Sequence, residues 1–146
     1  MEKKSGVEFI FAHVHLKCGD IDAAKKFYET MFSARFLFEE KVRNARIAMM
    51  EMGGTFLHIS ETEPGEMIPS RAPREKVWIG YGLGHFGFRV KNLDDAVREL
   101  KLKGAEFLGG VRDIREGVRV IYMKGPEDDV IEISERSPSF EALFRR

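Results

Sequence analysis

Two stretches of this chain, 72 residues apart, carry nearly the same pattern, and each opens on a histidine. His13-Val14-His15-Leu16-Lys17-Cys18-Gly19-Asp20-Ile21-Asp22-Ala23-Ala24 aligns with His85-Phe86-Gly87-Phe88-Arg89-Val90-Lys91-Asn92-Leu93-Asp94-Asp95-Ala96. Further on, Phe56-Leu57-His58-Ile59-Ser60-Glu61 aligns with Val130-Ile131-Glu132-Ile133-Ser134-Glu135, now at an offset of 74. The fold must therefore use one supersecondary unit twice, and two such units can each lend groups from matching positions to one symmetric site. The matching positions hold His13, His58, His85 and Glu132, all common metal-ligand types.

Local patterning gives the same element order in both halves. Val14, Leu16 and Cys18 alternate with His13, His15 and Lys17, so 8–18 reads as a strand. Asp20 and Asp22 then offer N-caps for a helix whose Ala24, Phe27, Tyr28, Met31 and Phe32 share one apolar face. Strands follow at 36–41, 45–52 and 55–60, with Gly53-Gly54 as a hairpin turn. In the second half, 84–90 reads as a strand, and Asn92 and Asp94 lead a helix that Gly104 ends. Strands are expected at 105–108, 117–123 and 130–134. The class is α+β: two tandem βαβββ modules, at about 8–61 and 77–136, within one domain of 146 residues. Residues 62–76, rich in Pro, Glu and Arg, read as a linker or flap. The tail, 137–146, carries Phe140, Leu143 and Phe144 and suits a short helix packed on the body or on a neighbouring chain.

Residues two apart on a strand share a face. Val14 and Leu16, Leu57 and Ile59, Phe86 and Phe88, and Ile131 and Ile133 suit the helix-covered core. His13, His58, His85 and Glu132 are thereby sent to the open faces, and curled sheets facing one another would bring them into a cup. His15 faces the same way but Gly87 occupies its matching position, so it reads as pocket lining. Lys17 and Arg89 match one another on the open face, as candidates to hold an anionic group. Glu61 and Glu135 also match, but read as solvated strand-end acids.

Composition excludes several other functions. Lys plus Arg equals Asp plus Glu at 24 each, so no overall field favours nucleic acid or an anionic membrane. The single cysteine, Cys18, excludes an internal disulfide and fits a reducing compartment. The first residues lack a signal-peptide stretch and no long apolar run suits a membrane span, so a cytoplasmic domain is expected.

The repeat resembles the vicinal oxygen chelate superfamily, which includes glyoxalase I, methylmalonyl-CoA epimerase, fosfomycin-resistance proteins, bleomycin-binding proteins and extradiol dioxygenases. The resemblance is carried by His13 with Asp20 and Phe27-Tyr28, by His85 with Asn92, and by Ile131-Glu132-Ile133. It implies curved mixed sheets forming a cup around one divalent metal held by His13, His58, His85 and Glu132. His58 stands where Glu or Gln is common, leaving a three-imidazole, one-carboxylate set suited to zinc, nickel, cobalt, iron or manganese. Gly125-Pro126-Glu127-Asp128 is a second departure, in the turn before the last strand. The implied activity is that of a lyase or isomerase acting on a small α-oxygenated carbonyl compound chelated by the metal. Glu132 would serve as base and His58 as a second proton carrier, with His15, Lys17, Arg89 and Tyr122 contacting the substrate. A ring-cleavage dioxygenase and a non-catalytic drug- or metabolite-binding protein are the alternatives, and a homodimer is the expected assembly.

Overall fold

The computed structural model describes residues 7–66, 83–127 and 129–145. Most of the expected linker, and the first residues of the expected second module, lie outside the described residues. The first half runs β1 (His13–Cys18), α1 (Ile21–Phe32), β2 (Arg35–Val42), β3 (Ala45–Met52) and β4 (Thr55–Glu61). The second runs β5 (Phe86–Val90), α2 (Leu93–Leu102), β6 (Arg112–Arg115), β7 (Val118–Lys124) and β8 (Val130–Arg136). A short helix α3 (Pro138–Glu141) and a 3-10 turn (Ala142–Phe144) follow.

Each half is a four-stranded mixed sheet with one topology, in the orders β1-β4-β3-β2 and β5-β8-β7-β6. The first and last strands of each module pair in parallel, and the remaining pairs are antiparallel. Both helices start on the residues the spacing predicts. The Asp20 carboxylate accepts from the Ala23 backbone N–H, and the Asn92 side chain from that of Asp95, each at 2.9 Å. Gly53 and Gly54 have φ of 57° and 82°, a left-handed pair that closes the β3–β4 hairpin with the twist its strands need.

One core joins the halves through their helix-bearing sides. Ile21, Tyr28, Met50, Leu57 and Ile59 share it with Leu93, Met123, Ile131 and Ile133. Across the junction Phe32 stacks on Phe88, with ring centroids 4.4 Å apart. The Gly19 backbone N–H donates to Glu127 Oε1 at 2.8 Å, so the altered turn before β8 ties the second module to the first.

Several expectations differ from the structure. The first strand begins at His13, which pairs with Phe56, one residue short of the start of β4 at Thr55 and its glycine turn. Phe9, Ile10 and Phe11 are left exposed. Residues 105–108 contribute one isolated bridge, Phe107 to Met123, and the edge strand is β6 instead. Its burial is low throughout, so no apolar alternation announces it. The tail packs on its own chain. Phe140 and Leu108 cover Val118, Val120, Tyr122 and Val130, the open face of the second sheet.

Candidate metal centre

The four repeat-matched residues arrive as two close pairs, one on the open face of each sheet. In the first sheet β1 and β4 set His15 directly opposite His58, with His13 one step along the same face. The His13 and His58 rings stack at 3.9 Å between centroids with 13° between their planes. Burial, then the neighbouring His13 and His15, holds the His58 imidazole below its usual range, which favours the neutral, metal-binding form. In the second sheet Gly87 lies opposite Glu132, and His85 stands immediately before β5. His85 Nε2 lies 3.2 Å from Glu132 Oε2. Two donors about 2.0–2.1 Å from one tetrahedral ion would be about 3.3 Å apart, so this pair already has a chelating separation.

Tyr122 sits across from Glu132 on β7, 5% exposed, and its ring meets that of His85 edge-on at 5.3 Å. Burial, then the hydrogen bond and charge of Glu132, pushes the Tyr122 phenol up to about 12. It therefore stays protonated and donates to the carboxylate, orienting Glu132. Among the described residues, no three His, Cys, Asp or Glu side chains cluster closely enough to hold a metal within one chain.

The neighbouring residues take specific partners. His15 Nε2 and Ser60 Oγ are 2.7 Å apart, and burial, then the charges of Lys17 and His13, lowers the His15 pKa. Lys17 pairs with Glu66 and Arg89 with Glu141, so each matched cation carries a glutamate from just beyond its module's last strand. Sequence reasoning missed Ser60, Glu66 and Glu141. It also missed a matched brace on the helix side. Arg46 pairs with Asp22 at 3.0 Å and Glu61 at 3.5 Å, while Arg119 pairs with Asp94 at 3.1 Å and Glu135 at 3.7 Å. Glu135 also accepts from the Leu93 backbone N–H at 2.7 Å, fixing the start of α2. Glu61 and Glu135 are thus partnered, and the repeat itself, which aligns both acids in each brace, is the signal that finds them.

Residues 12–122 match the family described as the glyoxalase/bleomycin resistance protein/dioxygenase superfamily. The chain belongs to that superfamily. Among solved structures, the glyoxalase family protein from Enterococcus faecalis is similar with a TM-score of 0.72 at 22% identity, over 86% of this chain and 97% of that one. The fosfomycin resistance protein FosX from Listeria monocytogenes, complexed with Mn(II) and 1S,2S-dihydroxypropylphosphonic acid, gives 0.68 at 18% identity, over 94% and 99%. These likenesses establish the fold, two open curved sheets built from a duplicated module. A probable chloroplastic lactoylglutathione lyase from Arabidopsis thaliana is 28% identical over 137 residues, 90% of this chain and 37% of that protein. The chain spans less than half the length of the curated relatives it matches.

Proposed function

We propose that this protein is a metal-dependent lyase or isomerase acting on a small α-oxygenated carbonyl compound, with a site shared by two copies of the chain. The observation that carries this reading is the delivery of matched donors as two pairs on open sheet faces. His13 and His58 of one copy would complete a four-donor set with His85 and Glu132 of a second. Three imidazoles and one carboxylate suit a borderline divalent ion such as zinc, nickel, cobalt, iron or manganese. A closed two-fold dimer forms two such sites from one interface. The lyase name of the Arabidopsis relative and the Mn(II) held by the FosX relative agree with this chemistry.

A divalent ion held by these four residues would supply Lewis-acid polarisation of adjacent substrate oxygens. The chain supplies proton movement and orientation. Glu132, oriented by the Tyr122 phenol, would take the proton α to the carbonyl through its oxygen not bound to the ion. His58, kept neutral by burial and by its histidine neighbours, would carry a proton on the opposite wall only where it coordinates weakly and releases the ion, because its one basic nitrogen cannot hold metal and proton together. Phe38, Met49 and Phe56 lie on the same open face of the first sheet and would exclude water from the cup once a second copy covers them.

Metal content of protein purified without added metal, compared with His13→Ala and Glu132→Ala, tests the reading. The parent is expected to retain a divalent ion and each variant to lose most of it. Metal-free parent protein would overturn the proposal. Assays on 2-oxo aldehydes and 2-oxo acids, with and without a thiol, then separate the lyase and isomerase branches.

A further inference from the structure

The open face of the second sheet carries more than the metal pair. Arg89 on β5 and Arg136 on β8 both reach the carboxylate of Glu141, which α3 lays across this face. Arg89 pairs with Oε1, while Oε2 has only the Arg136 guanidinium at 3.7 Å. That distance is beyond a hydrogen bond, and Oε2 is buried with no hydrogen-bond partner among the described residues. A carboxylate held this way is an imperfect occupant, because a buried charged oxygen without a donor costs free energy. The receptor is nevertheless well formed. Arg136 is stacked over the Phe144 ring at 4.3 Å, which fixes its plane. Arg112 pairs in register with Val120 on β7, which belongs to the same face of the sheet.

We infer that Arg89 and Arg136 form an anion subsite for a carboxylate or phosphate-type group of the substrate, which Glu141 fills as an internal stand-in. The inference deepens the proposed function and rests on its assignment of this face to the catalytic cup. Two guanidinium forks suit a planar carboxylate free to turn towards both, or a tetrahedral phosphate-type group, which has more acceptor oxygens than the Glu141 carboxylate. Arg89 pairs in register with Ser134, two residues beyond Glu132 on β8. Two strand residues span about 7 Å, so the anionic group would lie a short carbon chain away from the chelated oxygens. The substrate class is thereby narrowed to small carbonyl compounds that carry an anionic end.

Inorganic phosphate is the probe, titrated by calorimetry into the full chain with a chelator present, so that no metal contributes. Glu141→Gln is expected to bind phosphate about fivefold more tightly than the parent, as loss of one competing ion pair implies. Arg89→Ala or Arg136→Ala in the Glu141→Gln background should abolish that gain. Equal affinity in parent and Glu141→Gln, or a gain surviving both arginine substitutions, would overturn the subsite. If Glu141→Gln melts early, Arg89→Ala in the parent decides the matter: weaker phosphate binding supports the subsite, and unchanged binding refutes it. Because metal content is measured separately, failure here leaves the metal reading standing, and failure of the metal reading leaves this titration interpretable.

Discussion

Pairing His13 with His58 on one sheet and His85 with Glu132 on the other makes a sharp statement about mixtures of disabled chains. Consider His13→Ala and Glu132→Ala, each expected to empty every site when alone. In a mixed dimer one site would take its first pair from the His13→Ala chain and its second from the Glu132→Ala chain, losing two donors. The other would take His13 and His58 from the Glu132→Ala chain, and His85 and Glu132 from the His13→Ala chain. That site would be complete. Random re-association makes half of the dimers mixed, so about one quarter of all sites should regain metal and activity. A site contained in one chain predicts none, because no chain in the mixture carries all four residues. The two chains are unfolded together, refolded, and checked for mixed dimers by native mass spectrometry before metal and turnover are measured. Verified mixed dimers without regained metal would refute the shared site.

Three further outcomes follow from local geometry. A Cβ on Gly87 would meet Glu132 Cβ and its carbonyl oxygen, each at 3.1 Å, so Gly87→Ala must push β5 off β8 and tilt Glu132. We expect a cost of about 1–2 kcal/mol in denaturant melts and weaker metal retention, whereas His15→Ala should keep its metal. The Tyr28 hydroxyl is fully buried with no hydrogen-bond partner among the described residues, so Tyr28→Phe should be neutral or stabilising by up to about 1 kcal/mol; a clear loss in a thermal melt would contradict this. Burial, then nearby carboxylates including Glu127 and Glu61, raises the Cys18 thiol from 9.0 to about 11. Its contribution to stability is therefore present below pH 9 and lost as pH rises from 9.0 to about 11, where only the unfolded thiol ionises. A thiol reagent at pH 8 should label Cys18 only after denaturation, and rapid labelling of the native protein would show the burial to be wrong.

The sequence made the repeated βαβββ order legible because each half states it independently in apolar alternation and helix caps. Asp20 and Asn92 cap the helices they were expected to cap. The open-face placement of the candidate donors follows from the same alternation, since a one-residue slip would bury all of them. β6 was not legible: all four of its residues are exposed, so no pattern of burial marks it. The β1 boundary was also missed, because strand length depends on where the partner ends. Lys17 and Arg89 were legible as facing cations, but Glu66 and Glu141 were not, as they lie beyond the repeats and reach back through loop and tail.

Each module's closing strand lies between its first strand and its third, β4 between β1 and β3 and β8 between β5 and β7, in parallel with the first. That arrangement governs the order of folding. His13 and His58, like His85 and Glu132, come from opposite ends of their modules and become neighbours only when the last strand docks. Such non-local pairings pay their loop-closure entropy late. The helix and the middle strands must therefore assemble without help from a metal, and under the proposed site ion capture would be a signature of completed strand insertion rather than its cause. Kinetic traces of refolding should show metal uptake lagging behind helix formation, with chelator leaving the early phase untouched.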